Sequence, residues 1–162
     1  MHVRPSTEED WETLKEIRLA ALLDSPTAFA VSYATAAAYP DTEWKARAAT
    51  GSQPDYVIAF EGTRAIGLIG DVISPDGEYH LIAMWVRPAY RRSGVADALV
   101  SAIQARAVEQ GHRRVVLSVS PENTSAVALY RRHGFVFLAE TEPLASHPEI
   151  EVQTMEWRTD HP

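Results

Sequence analysis

The chain has 162 residues, 15 of them Lys or Arg and 22 Asp or Glu, for a net charge of −7, with 46% hydrophobic and 23% charged residues. These values fit one globular domain around a single core and exclude a disordered chain or a membrane partner, since no apolar run approaches the ~18 residues of a span. The acidic balance argues against a nucleic-acid partner, while the lack of cysteine excludes thiol redox chemistry and, with no secretory-leader pattern, leads to the expectation of a cytoplasmic protein.

His2 to Arg4 reads as a short strand closed by Pro5. Ser6 with Glu9 fits a capping box, and Trp11, Leu14, Ile17, Ala21 and Leu22 recur at helical spacing, so a helix is predicted from about Thr7 to Leu23. Ser25-Pro26 breaks it. The stretch from Ala28 to Tyr39 is small, aromatic and weakly periodic, and Pro40-Asp41 opens another helix through about Ala49, so the first third is expected to be a helical flap over a sheet. Tyr56 to Glu61 and Arg64 to Ile73 read as strands joined by Gly62-Thr63. After a Pro75-Asp76-Gly77 turn, a third strand runs from Glu78 to Val86.

Residues 84 to 96 then carry the chain from this strand through Pro88 into a basic, glycine-containing turn that opens a helix. Such a turn is built to hold a phosphate: the first helical N–H groups lack partners, the helix dipole is positive there, Gly94 allows close backbone approach, and Arg91 and Arg92 add charge. The helix, Gly94 to Gln110, presents Val95, Leu99, Ala102, Ile103, Arg106 and Ala107 as a mostly apolar stripe and stops at Gly111. Arg114 to Ser120 is a buried strand, which the βαβ connection makes parallel to Glu78–Val86. Asn123 is a good N-cap for a helix carrying Ala126, Leu129 and Tyr130 and ending at Gly134. Phe135 to Thr141 and Glu151 to Arg158 alternate well enough for an antiparallel pair, joined by a loop from Pro143 to Pro148. The fold class is mixed α/β. Arg87, Arg91 and Arg92 concentrate positive charge at the turn, which suits a polyanionic small molecule. Arg113, Arg114, Arg131 and Arg132 read as solvated charges near element ends, and His133 and His147 as surface residues.

Two segments carry a resemblance. Arg91-Arg92-Ser93-Gly94-Val95-Ala96, preceded by Val86-Arg87-Pro88, and Asn123-Thr-Ser-Ala-Val-Ala-Leu-Tyr130-Arg-Arg-His-Gly134-Phe135 resemble the two motifs of the GCN5-related N-acetyltransferase (GNAT) superfamily. Arg18-Leu-Ala-Ala-Leu-Leu-Asp24-Ser-Pro26-Thr-Ala-Phe29 is similar to the first helix of many bacterial members. The resemblance implies a mostly antiparallel central sheet with a splayed parallel strand pair, flanked by helices, and acetyl-CoA as co-substrate. It implies that the amides of Arg92, Ser93, Gly94, Val95, Ala96 and Asp97 cradle the pyrophosphate, with Arg91 beside them, while the backbone of Met84, Trp85 and Val86 pairs with the pantetheine arm. The Asp97 carboxylate suits the helix dipole but would repel that ligand if it faced inward, and it is expected to point outward. Asn123 and Tyr130, two helical turns apart, would both face the splayed cleft, although an N-cap and a core aromatic are the plainer readings of these residues. Direct acetyl transfer through a tetrahedral intermediate is implied, with Tyr130 as the acid on sulfur and the Val86 N–H as oxyanion donor.

An ungapped count back from Arg91 places His80 where several relatives carry a catalytic glutamate, so His80 is a candidate base beside a structural histidine reading, and Glu78 is a second candidate. No His, Asp and Glu spacing suggests a metal site, and Ser118 and Ser120 lack a convincing His and Asp for a serine hydrolase. The acceptor is expected to be an amine-bearing small molecule or peptide. Phe29, Tyr33, Tyr39 and Trp44 would line its pocket or simply fix the flap to the sheet, and the acidic surface leans toward a cationic amine. A homodimer is a further expectation, with an exposed final strand as its edge. Two other functions stay open: an acetyl-CoA-binding sensor or interaction module without turnover, and a site for another phosphorylated ligand. A nucleotide would call for a longer glycine-rich loop with a lysine or a ribose-binding acid.

Overall fold

The structure, a computed structural model, describes residues 1–159. Strand β1 (His2–Pro5) leads through a 3-10 turn (Glu8–Asp10) into helix α1 (Trp11–Asp24), followed by a second 3-10 turn (Pro26–Ala28), a short helix α2 (Tyr33–Ala37) and helix α3 (Asp41–Ala48). Strands β2 (Asp55–Glu61), β3 (Arg64–Ile73) and β4 (Tyr79–Val86) form an antiparallel meander. Helix α4 (Val95–Glu109), strand β5 (Arg114–Val119), helix α5 (Thr124–Arg132) and strands β6 (Val136–Leu144) and β7 (His147–Arg158) complete the chain. One seven-stranded sheet results, in the order β1-β2-β3-β4-β5-β7-β6, with β4 and β5 its parallel neighbours.

The sheet separates two apolar layers. On one face α1 and α3 bury Leu14, Ile17, Leu22 and Trp44 against Tyr56, Ile58, Leu68 and Trp85. On the other, Val95, Leu99 and Ile103 of α4 and Val127 and Leu129 of α5 meet Ile66, Ile69, Leu81, Val115 and Leu117. Helix α4 lies close to β3 because Gly67 leaves room: a Cβ there would stand 2.9 Å from both Leu99 Cδ1 and Val95 Cγ1. The polar member of its stripe is accounted for as well. Arg106 donates to Asp55 (2.7 Å) and Asp71 (3.0 Å), and Asp71 also accepts from the Tyr79 hydroxyl (2.7 Å), so a paired charge cluster fixes the helix to three strands.

Four expectations are corrected. The cap at the first helix is shifted by one residue: the Asp10 carboxylate accepts from the Thr7 N–H (2.8 Å), while Ser6 is buried and donates to the Ala48 carbonyl (2.8 Å). The Pro143–Pro148 loop is instead strand closing on a tight hairpin, with Leu144 opposite His147. Pro143 is tolerated because β6 is an edge strand, and Pro148 lies where β7 pairs with β6 alone. The final strand β7 is therefore interior, not the exposed edge expected for dimer pairing, and β6 presents Glu140, Glu142 and Pro143 to solvent, residues that discourage edge association. Arg114 is no solvated charge, since it holds Glu78 (2.8 and 2.9 Å) and Glu156 together.

Candidate active site

The parallel strands β4 and β5 touch at one point of register, His80 opposite Val116, and diverge beyond it. The gap opens into a cleft of about 830 Å³ lined by His80 to Met84, by Leu117 to Ser120, by Asn123 and Tyr130, and on the flap side by Arg18, Phe29, Tyr39, Trp44 and Arg47. Tyr33 is exposed and takes no part in this lining.

A bulge prepares the β4 edge. Ala83 and Met84 together face Ile69, because the register of β3 on β4 changes between Leu68–Trp85 and Gly70–Ile82. Ala83 adopts φ 60, a left-handed conformation that costs a non-glycine residue roughly 1–2 kcal/mol. After the bulge the alternation is regular: the Arg87 N–H donates to the Ile66 carbonyl (2.9 Å), so Val86 turns its own N–H and carbonyl away from β3. That carbonyl accepts from Arg91 Nε (3.0 Å), and the N–H is turned to the same side, away from β3.

At the turn, Arg92 (φ 62) and Gly94 (φ 89) are both left-handed, which folds the chain back to start α4. The first backbone bond into the helix runs from the Ala98 N–H to the Gly94 carbonyl (3.0 Å), leaving the amides from Arg92 to Asp97 without backbone partners among the described residues. Those amides can hold an anion such as a pyrophosphate. The two arginines differ in employment. Arg91 donates to Asp24 (2.6 Å), whose carboxylate also accepts from the Trp85 indole (3.0 Å), and these bonds keep Asp24 below the usual carboxylate range. Arg92 is exposed and has no ion pair among the described residues. Asp97 does turn outward, to Arg132 (3.1 Å) and His133 Nε2 (2.8 Å), which lower its pKa. His133 is consequently half-buried rather than a surface residue, and Arg132 is paired; Arg131 lies over the Phe137 ring.

Asn123 caps α5, its Oδ1 accepting from the Ala126 N–H (3.3 Å), and it also lines the cleft. Tyr130 is packed edge-on against Phe135, with ring centroids 5.8 Å apart, and its hydroxyl has no protein partner among the described residues. Burial pushes the phenol pKa up, which keeps it protonated. His80 meets Ser74 Oγ through Nε2 (3.2 Å), and the Ser74 hydroxyl donates in turn to Asp76. A hydroxyl committed to Asp76 accepts from the ring, so Nε2 carries the proton and Nδ1 is the basic nitrogen. Glu78 does not line the cleft, and its bidentate contact with Arg114 lowers its pKa and keeps it engaged.

The sequence reading missed charged lining residues, among them Arg18 and Arg47. Arg18 carried a signal, since it falls on the same helical face as Leu14 and Leu22, a place for an apolar residue. Arg47 carried none, because only the assembled flap brings it to the cavity. Among the described residues no group of three His, Asp or Glu side chains could hold a metal, and no helix is long and apolar enough to cross a membrane.

Known proteins resemble this chain in sequence or in fold. The mycothiol acetyltransferase of Corynebacterium efficiens is 32% identical over 83 residues, which is 51% of this chain but 28% of that relative's length. The acetyltransferase of GNAT family from Streptococcus pneumoniae superposes with a TM-score of 0.81 at 19% identity, over 97% of this chain and 98% of its own. Salmonella typhimurium yncA, solved with its cofactor acetyl-CoA, superposes at 0.77 and 19% identity over 100% and 95%. The splayed strands, the bulge and the free helix-start amides fall within residues 11–135, the span matched by the model of the Acetyltransferase (GNAT) family, and the chain belongs to that family.

Proposed function

We propose that this protein transfers the acetyl group of acetyl-CoA to a primary amine by direct attack. The observation that carries the reading is one continuous cavity that joins the β4 edge, the Tyr130 hydroxyl and His80 to a pocket under the flap. The amides from Arg92 to Asp97 hold the pyrophosphate, with Gly94 allowing its approach and Arg92 adding charge. Arg91 acts by bracing the turn to Asp24. The backbone of Met84 to Val86 receives the pantetheine arm as an added strand would be received, and the Val86 N–H is the donor for the thioester end.

In the reaction the amine nitrogen adds to the thioester carbon to give a tetrahedral intermediate, whose oxyanion accepts from the Val86 N–H, and the carbon–sulfur bond then breaks. Tyr130 gives its phenolic proton to the leaving sulfur, a role that its raised pKa suits, because a phenol ionised at neutral pH would have nothing to donate. The amine loses a proton to His80 Nδ1, directly or through water. Ser74 and Asp76 orient the ring from its other nitrogen. Asn123 supports this wall by capping α5.

The test is an assay of CoA release with a broad amine panel. Release that requires an acceptor and falls about 100-fold in kcat for Tyr130→Phe supports the reading. Binding of acetyl-CoA with no acceptor-dependent release favours a sensor, and failure to bind acetyl-CoA refutes the reading altogether.

A further inference from the structure

Two buried side-chain donors lack a hydrogen-bond partner among the described residues, Arg18 Nη1 and Trp44 Nε1, and both residues line the same cavity. Arg18 sits on the α1 face that also carries Leu14, Ile17, Ala21 and Leu22, each 0% exposed, and is itself only 9% exposed. Among the described residues it makes no ion pair or hydrogen bond. The Phe29 ring lies 4.7 Å from the guanidinium carbon, and an aromatic face leaves the N–H donors at the edge of the cation unsatisfied. Trp44, from α3, is 1% exposed and held by Tyr39, whose ring lies edge-on at 5.6 Å.

A guanidinium left this way is costly, since burial removes its water and nothing replaces it. Burial and the nearby Arg47 both depress the Arg18 pKa. Arg47 is already matched by Glu43 (2.9 Å), so this end of the cavity holds one unbalanced positive charge. An unpaired guanidinium at the cavity calls for an anion with acceptor oxygens, the chemistry of a carboxylate, and the unpartnered Trp44 indole on the same cavity is a second donor for it. The carboxylates that line the cavity, Glu122 and Glu142, come from other elements, the turn before α5 and strand β6.

We propose that Arg18 and Trp44 form the anion end of the acceptor pocket, and that the acceptor is a small primary amine carrying a carboxylate, of amino-acid type. This rests on the acetyltransferase reading above and narrows it. It also qualifies the lean toward a purely cationic amine that the net charge suggested, because the flap end of the pocket is positive although the whole chain is negative.

The test compares, for the wild type, kcat/KM toward α-amino acids, their carboxamides and their decarboxylated amines, with acetyl-CoA binding measured separately by calorimetry. The free acids are expected to exceed both counterparts by about tenfold to a hundredfold, the range of a charge-assisted contact. In Arg18→Met, which keeps the volume and removes the charge, that ratio collapses toward one through KM, and Trp44→Phe reduces it in part. Equal or better turnover of the carboxamides by the wild type overturns the inference while leaving the acetyltransferase reading intact. So does acetyl-CoA binding without acetylation of any carboxylate-bearing amine. Failure to bind acetyl-CoA removes the underlying reading, and this inference with it.

Discussion

At the scale of single residues, the site is made by conformations and environments that ordinary surface positions lack. Gly94 adopts φ 89 with open space where a Cβ would stand, so Gly94→Ala meets no clash and acts through the backbone alone. It is expected to lower stability by about 1 kcal/mol in urea denaturation and to weaken acetyl-CoA binding, because the left-handed turn presents the amides. Tyr130 yields a pH signature. Its phenol is raised above the ordinary value near 10, so the acid form persists through neutral and mildly alkaline pH. The kcat profile is therefore expected to show no descending limb from this group below about pH 10. A fall in kcat near pH 8 that disappears in Tyr130→Phe would show Tyr130 titrating there and would contradict the raised phenol.

At the scale of elements, the turn depends on partners far away in sequence. Asp24, at the end of α1, accepts from both Trp85 and Arg91 and so fixes the end of β4 and the start of the turn together. Asp24→Ala is expected to raise the KM for acetyl-CoA several-fold with a smaller effect on kcat, and to cost only about 1 kcal/mol of stability because the carboxylate is partly exposed. Gly67→Ala tests the packing of α4 on β3. Its new methyl would press Val95 and Leu99, and a thermal melt is expected to show a loss of about 1–2 kcal/mol. Elements were legible in the sequence where turn chemistry was local, as at Gly62 between β2 and β3 or at the cap of α5. The β6–β7 hairpin was not legible, because Pro143 and Pro148 argue against strand unless the absence of a neighbour on that side is known. The cap at Thr7 was misread because Ser6, the better N-cap by residue type, is used instead to tie the first turn to Ala48.

At the scale of the molecule, the acidic chain keeps its carboxylates stabilised by specific partners. Asp10, bonded to Arg4 (2.8 and 2.9 Å), has a folded-state pKa of about 2 against an ordinary 3.8. A depressed carboxylate adds stability that is present above its unfolded pKa and is lost as pH falls through the folded one, so this contribution fades between about pH 4 and 2. Glu78 and Asp97 are lowered in the same direction by Arg114 and His133. Denaturation midpoints measured over that range should therefore fall, with a shallower decline in Asp10→Asn. The two motif segments made the turn before α4 and helix α5 readable, since each concentrates its signal within a few residues. Arg18 and Trp44 were not readable as binding groups, because a missing partner exists only once the flap, the sheet and the last hairpin enclose the same space.

The most direct test is a crystal structure with acetyl-CoA bound. The account predicts the pyrophosphate on the amides from Arg92 to Asp97, the pantetheine arm along Met84 to Val86 between the splayed strands, and the sulfur within hydrogen-bond reach of the Tyr130 hydroxyl. Acetyl-CoA bound elsewhere, or lying in the cleft with its sulfur turned away from Tyr130, would contradict it.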